Sequence, residues 1–316
     1  MEITLEEAAR YLREAQSIVI TAHQNPDGDA IGSILGLMHI LRPMGKDVQV
    51  LLDDDVPRTL MMLPGTDEIR RPAGTVEADL LVVLDAEQDR IGKVPDAVKA
   101  RDVLNIDHHR TNTRNAPLLY LDASRAATAE IIYELAKELG REFTQESAMC
   151  IYTGMATDSG FFRYSCTKPF TMRAAAELME HGVQPSVISE ALEQKPYALV
   201  QGLAKAMQSI ELFADGRIGG MFLDYELTSS LESTEGFVDY ARVIEGVDVA
   251  VLVKEKEDEG KRFCRVSMRS RDTDVSAVAA SFGGGGHIRA AGCTLKMPLA
   301  EAKETILAAL VKAVGA

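Results

Sequence analysis

SIVITAHQNPDGDA, residues 17–30, sets a short β-branched run directly before a turn that carries one histidine and two aspartates. Ile18, Val19 and Ile20 are consecutive and apolar, the pattern of a strand buried on both faces rather than one half in water. Asn25-Pro26 then keeps the chain out of helical geometry, and Asp27-Gly28 adds turn chemistry, so a loop must separate this strand from the helix expected at 28–44. Outward from this stretch the same pattern recurs. Residues 48–52, LLVVL at 80–84 and DVLNI at 102–106 are further short apolar strands. Thr4 and Glu7 fit a capping box opening an amphipathic helix ahead of the first strand. Strands alternating with helices predict an α/β unit on a parallel sheet covered on both faces. Functional side chains then belong at the carboxyl ends of the strands.

Helices are expected at 125–139, 146–156 and 170–180, the last closed by Gly182 and Pro185. The second half mixes strand-like pieces at 218–223, 247–253 and 263–268 with helices at 275–280 and 299–314, which predicts a smaller mixed α/β domain. A chain of 316 residues exceeds one ordinary core. The expected division is 1–185 for the first domain, 186–200 for a linker and 201–316 for the second.

Composition narrows the partners. With 34 Lys and Arg against 48 Asp and Glu, the net charge of -14 repels a long nucleic-acid backbone, so a short anion suits the chain better. Cys150, Cys166, Cys264 and Cys293 are scattered, which speaks against a zinc knuckle or a disulfide framework and for reduced thiols. The N-terminus has no basic stretch followed by an apolar core, and no apolar run approaches the roughly 20 residues of a membrane span. The expectation is a cytoplasmic protein with no membrane partner.

Five places carry chemistry. His23, Asp27 and Asp29 offer an imidazole and two carboxylates, a set suited to Mn, Mg, Fe or Co; the alternative is that Asp27 only caps the following helix. Asp85 is the first charged residue after the run at 80–84, where an aspartate is otherwise a turn or cap residue. Asn105-Ile106-Asp107-His108-His109 brings an acid and two imidazoles to a strand end. Asp158 and Arg163 follow an apolar helix, Arg163 with the planar fork that grips phosphate. Gly283-Gly284-Gly285-Gly286-His287, with Arg269 and Arg271 before it and Arg289 after, offers side-chain-free backbone and cations to an anion. That all these groups decorate successive strand ends by chance is improbable.

In order, H-x-x-x-D-x-D at 23–29, the strand-end Asp85, D-H-H at 107–109, Asp158 and GGGGH at 283–287 resemble the DHH phosphoesterases and their DHH-associated substrate-binding domain. The resemblance spans nearly the whole chain, and within that superfamily it is to the bacterial nanoRNase and pAp phosphatase type. It implies that His23 and Asp27 bind one divalent metal, that Asp29, His108 and Asp158 bind a second, and that Asp85 bridges them. It also implies that His109 is catalytic and faces the substrate phosphate, while Asp107 orients the imidazole beside it. Arg163, Arg269 and His287 would hold phosphates, with Gly284, Gly285 and Gly286 among the backbone lining the pocket. The implied cofactors are two divalent ions, manganese first, with magnesium or cobalt as alternatives. The implied substrates are short RNA or DNA oligonucleotides, dinucleotides and pAp, and the implied assembly is a homodimer.

Other readings keep the metals and change the substrate. One is a phosphodiesterase of cyclic dinucleotides or their linear products. Another is an inorganic pyrophosphatase, whose family carries a lysine and arginine cluster where this chain has GGGGH. A non-catalytic nucleotide-binding protein is a different class, and decay of an enzyme usually deletes a carboxylate, whereas none is missing here.

Overall fold

The computed structural model describes residues 1–231 and 233–315, which fall into two compact units, Met1–Gln194 and Lys195–Ala316. The strand-like runs read in the first unit lie in one parallel sheet. Its strands are β1 (Ser17–Thr21), β2 (Asp47–Val50), β3 (Val76–Leu84), β4 (Val98–Asp107) and β5 (Leu118–Leu121), in the order β2-β1-β3-β4-β5. Ile18 stands opposite Val48 on one side and Leu80 on the other. The helices are α1 (Leu5–Glu14), α2 (Gly28–Leu41), the single turn α3 (Val94–Ala97), α4 (Thr128–Glu138), α5 (Gln145–Asp158), α6 (Pro169–Glu180) and α7 (Pro185–Glu193).

Alternate strand residues feed two cores. Ile18, Ile20, Leu80, Val82 and Leu104 pack with Ile31, Ile34 and Leu35 of α2, whereas Val19, Leu81 and Val83 pack with Ile91 and Val94 on the opposite face. That is why these strands read as unbroken apolar runs. The α2 helix stops at Leu41, three residues before the expected end, because Pro43 has no N–H for the helical ladder and the chain turns through a 3-10 segment to Gly45 at φ 77°. Strand β3 starts at Val76, ahead of its apolar run, since Glu77 and Asp79 occupy its solvent-reaching end.

Helices α2 and α5 approach backbone to backbone. A Cβ at Gly32 would lie 2.5 Å from the Cys150 carbonyl oxygen, and one at Gly154 would lie 2.9 Å from Asp29 Oδ1. This closeness brings the start of α2, with Asp29, to the end of α5, with Asp158. Gly32→Ala is expected to cost about 1–3 kcal/mol through overpacking against main chain that cannot yield. Differential scanning calorimetry should show a melting point several degrees lower; a wild-type value would mean the helices part freely.

The second unit comprises α8 (Tyr197–Gln208), β6 (Glu211–Phe213), β7 (Ile218–Leu223), α9 (Tyr225–Ser229), α10 (Phe237–Arg242), β8 (Val249–Asp258), β9 (Lys261–Ser270), α11 (Val275–Ser281), β10 (Gly285–His287), β11 (Ala290–Leu295) and α12 (Leu299–Val314). Its sheet runs β10-β11-β9-β8-β7-β6, with β7 and β8 parallel and the other neighbours antiparallel. One face, Val249, Val251, Val253, Val266 and Met268, packs on α11 and α12. On the other face, Ala250 and Leu252 pack with Phe237, Val238 and Ala241 of α10. Residues 186–200 are mostly helical, holding the rest of α7 and the opening of α8, and the division into units falls between Gln194 and Lys195.

Among the described residues no helix is long and apolar enough to cross a membrane. The four cysteines are free thiols, and Cys150, Cys264 and Cys293 are buried.

Candidate metal centre

In a sheet of order β2-β1-β3-β4-β5, the chain leaves β1 for one edge and returns to the other side through β3. The crevice beyond the carboxyl ends of these two strands is where such folds take ligands. The chain passes from β1 into His23 and from β3 into Asp85, and β4 ends in Asp107 before His108 and His109.

His23 Nδ1 donates to the Gln24 carbonyl oxygen at 2.8 Å, which turns Nε2 toward Asp85 Oδ2 at 3.5 Å and Asp27 Oδ1 at 3.8 Å. The loop is held in place by Asn25, at φ 53°, whose amide donates to Asp54 Oδ2 at 2.7 Å. Asp27 does cap α2, its Oδ1 accepting from the amides of Asp29 and Ala30 at 3.0 Å each. The cap role and a ligand role are compatible, because Oδ2 takes no protein donor among the described residues.

Asp85 sits at φ 59°, a left-handed conformation that costs a non-glycine residue of order 1–3 kcal/mol and persists only where surroundings enforce it. It is 1% exposed. Its Oδ2 faces His23, while its Oδ1 lies 3.7 Å from His108 Nε2 and accepts from the Thr128 hydroxyl at 2.9 Å. Asp29 is equally buried. Its Oδ1 accepts from the Ala129 amide at 2.8 Å and the Ser33 hydroxyl at 3.1 Å, and its Oδ2 accepts from the Thr128 amide at 2.6 Å. Thus Asp29 caps α4, whose own N-cap Ala127 has no side chain able to do so. Thr128 holds both central carboxylates at once.

His108 supplies the test of fit. Its Nε2 is buried without a hydrogen-bond partner, yet faces Asp158 Oδ2 at 3.4 Å, Asp85 Oδ1 at 3.7 Å and Asp29 Oδ2 at 3.8 Å. A buried nitrogen without a hydrogen-bond partner, ringed by three carboxylates, is a donor set that a divalent cation among them would satisfy. The titration behaviour agrees. Burial, then the charges of Asp85, Asp158 and Asp27, push the Asp29 carboxyl well above the usual range, and burial raises Asp158 to about 6. Burial opposes charge on His23, but Asp27 and Asp85 overcome it and raise the imidazole to about 10. Three groups of ligand atoms are each gathered within 4.8 Å, His23 with Asp27 and Asp85, Asp29 with His108 and Asp158, and Asp85 with His108 and His109; the first two share no residue and make two separate ligand sets. Imidazole and carboxylate without thiolate suit hard or borderline divalent ions.

His109 is placed differently. Its Nδ1 donates to Asp107 Oδ1 at 2.8 Å, so the ring edge left over is Nε2, on a side chain 41% exposed. The Asp107 bond, aided by the charge of Asp85, raises the His109 pKa. Asp107 is held in turn by Asn112, which donates to its Oδ2 at 2.6 Å and to Asn105 Oδ1 at 3.1 Å.

Comparison with known proteins agrees with this geometry. The DHH family, N-terminal domain, matches residues 17–155, and the DHHA1 domain matches residues 227–316. The chain is 37% identical over 301 residues to the bifunctional oligoribonuclease and PAP phosphatase NrnA of Thermus thermophilus, covering 93% of this chain and 89% of that protein. It belongs to the DHH phosphoesterases, a family of metal-dependent enzymes. The Bacillus subtilis protein of the same name is 28% identical over 299 residues, 92% of each chain. An exopolyphosphatase-related protein from Bacteroides fragilis superimposes with a TM-score of 0.87 at 26% identity, covering 98% of this chain and 95% of that one.

The remaining candidates of this DHH phosphoesterase lie outside the two ligand sets. Arg163 is exposed beyond α5, its Nε donating to the Gly160 carbonyl at 2.7 Å. Arg269 and His287 both pair with Ala290, so they stand in one row across β9, β11 and β10, about 10 Å apart at the backbone. The glycine run is not a loop throughout, because Gly285–His287 form edge strand β10. A Cβ at Gly284 would lie 2.2 Å from the Gly292 carbonyl oxygen, and one at Gly286 2.4 Å from that of Ala290, so packing against β11 already requires these two glycines. Nothing lies within 4 Å of the Cβ position at Gly285.

Proposed function

We propose that this phosphoesterase hydrolyses short oligonucleotides to mononucleotides and converts pAp to AMP, using two divalent ions, manganese by preference. The observation that carries the reading is Asp85, whose two oxygens face one ligand set each. His23 and Asp27 would hold one ion, Asp29, His108 and Asp158 the other, and Asp85 both. A pair of such ions supplies a water of lowered pKa and a clamp on the attacking and leaving oxygens. The substrate class follows the two relatives named for oligoribonuclease and PAP phosphatase activity.

The protein's own groups do the rest. Asp107 fixes His109 with Nε2 outward and favours its protonated form, so His109 presents an N–H to the reacting phosphoryl group. Arg163 offers its guanidinium, while Arg269 and His287, with the backbone of Gly284, Gly285 and Gly286, take the substrate's remaining phosphate. Loss of a charge-assisted hydrogen bond costs about 1.5–3 kcal/mol, so Arg269→Ala should raise KM for a dinucleotide roughly 10- to 100-fold. A small generic phosphodiester that lacks the second phosphate should suffer much less; equal losses would remove Arg269 from substrate recognition.

The direct test incubates the protein and manganese with 5′-labelled oligoribonucleotides from two to about two dozen nucleotides, and with pAp. Fastest loss of dinucleotide and pAp, with mononucleotide products, supports the reading. Cleavage confined to a cyclic dinucleotide or to pyrophosphate would keep the metal chemistry and reassign the substrate.

A further inference from the structure

Glu130 belongs to neither ligand set, yet it is a carboxylate only 1% exposed in the first turn of α4, two residues after Thr128. Its Oε2 accepts from the Ala126 amide at 2.6 Å, and its Oε1 accepts from the hydroxyl of Thr171, buried near the start of α6, at 3.0 Å. Among the described residues no cation comes within ion-pair distance of Glu130, and the guanidinium of nearby Arg125 is engaged by Asp122 and Glu134. An acid buried on two neutral donors is costly to keep, so its bonds call for a use that a surface residue could not serve.

Capping the helix is not that use. An acid at the third position of a helix usually accepts from the amide of the N-cap residue, as Glu7 does from Thr4 at 2.8 Å at the surface end of α1. In α4 the N-cap is Ala127, and the bond from Glu130 goes to the residue before it. A trans peptide is planar, with its N–H and C=O on opposite edges, so a bond that fixes the Ala126 N–H also fixes the Arg125 carbonyl. That carbonyl accepts from His108 Nδ1 at 3.4 Å, which leaves Nε2 to face Asp29, Asp85 and Asp158. One helical turn therefore reaches three ligands: the Thr128 and Ala129 amides hold Asp29, the Thr128 hydroxyl holds Asp85, and Glu130 acts on His108 through a single peptide.

We propose that Glu130 is a positioning residue for the ion held by Asp29, His108 and Asp158: it aims the Arg125 carbonyl at His108 Nδ1 and so fixes the tautomer and direction of the imidazole. The proposal rests on the two-ion reading above. A ligating histidine whose far nitrogen is held in this way binds its metal about 10- to 100-fold better than one left to turn. The bond to Thr171 serves a separate end, tying the same carboxylate to α6 and so to the packing of the unit. His23 and Asp27 have no contact with Glu130, since His23 is oriented by the Gln24 carbonyl instead. Glu130 therefore governs one ion of the two.

The test titrates manganese alone into the full, metal-free chain and follows the electron paramagnetic resonance of the unbound ion, so that each site is counted without turnover. Glu130→Met fills the same space and accepts nothing; Glu130→Ala replaces it should it fail to fold. Either should weaken one of the two ions about 10- to 100-fold and the other little. Glu130→Gln keeps an oxygen for the Ala126 amide and should bind both ions nearly as the wild type does. Thr171→Val removes only the bond to α6, so it should lower the melting point and leave both affinities in place. Wild-type affinities in Glu130→Met overturn the proposal, as do equal weakening of both ions, a Glu130→Gln variant as weak as Glu130→Met, or a Thr171→Val variant that loses the same ion. If the wild type takes up two ions and Glu130→Met changes neither, the positioning role falls and the two-ion reading stands. If it takes up one ion that Glu130→Met weakens and Glu130→Gln restores, the positioning role stands and the two-ion reading falls.

Discussion

Asp85→Asn will lower turnover by more than about a hundredfold while raising the melting temperature of the metal-free protein. Even residues that merely orient a metal's ligands are worth about 10- to 100-fold, and Asp85 is the group that faces both ligand sets, so the loss should exceed that range. The stability change has the opposite sign. Asp29 is pushed upward first by its burial and next by the charge of Asp85, so removing that charge relieves repulsion on Asp29, while the His23 imidazolium keeps Asp27 as its partner once the metal is chelated. Asparagine keeps the shape and can still accept from the Thr128 hydroxyl. Activity retained in a metal-replete assay would end the bridging assignment. A lower melting point in chelator would mean that the cluster is held by something other than charge balance.

How much of this was legible in sequence depended on how local each cause was. His23, Asp27, Asp85 and the 107–109 triplet announce themselves because each follows an apolar run, and the ends of buried parallel strands converge by topology. Thr128 gave no such signal. It lies in an ordinary alanine-rich helix start, and its bonds reach Asp29 and Asp85, 99 and 43 residues away in the chain. Asn112, only five residues beyond the Asp107 it steadies, was hidden because its polar loop carries no pattern that singles it out. The GGGGH segment reads as a loop by composition, yet the close approaches that make Gly284 and Gly286 necessary come from β11, which no local pattern pairs with it.

The metal-free protein should lose stability as pH rises from about 5 to 7, against the usual behaviour of a chain rich in paired carboxylates. Asp158, at about 6, and Asp29 hold protons more tightly folded than unfolded. Stability from these two groups is full below their unfolded pKa, about 3.9, and is lost as pH climbs through the folded values. His23 is also raised, to about 10, so its contribution is full below its unfolded pKa of about 6.5 and is lost progressively from there toward 10, adding to the descent at the top of this window. Asp27 and Asp107 are depressed, burial being outweighed by bonds from His23 and backbone amides in one and from His109 and Asn112 in the other; their stability is lost only in stronger acid. Divalent ions reverse the slope, because they take the place of protons on the carboxylates and of the proton on His23 Nε2. Melting curves in chelator should therefore descend between about pH 5 and 7, and those in saturating manganese should not. Calorimetric titration with manganese near pH 7, repeated in buffers of different ionisation enthalpy, should show about one proton or more released per chain, His23 being protonated before the ion arrives. A chelated protein whose melting point does not change over that window, or a binding heat independent of buffer, would mean that the charges of this centre are balanced without metal, and the two-ion reading would lose its electrostatic basis.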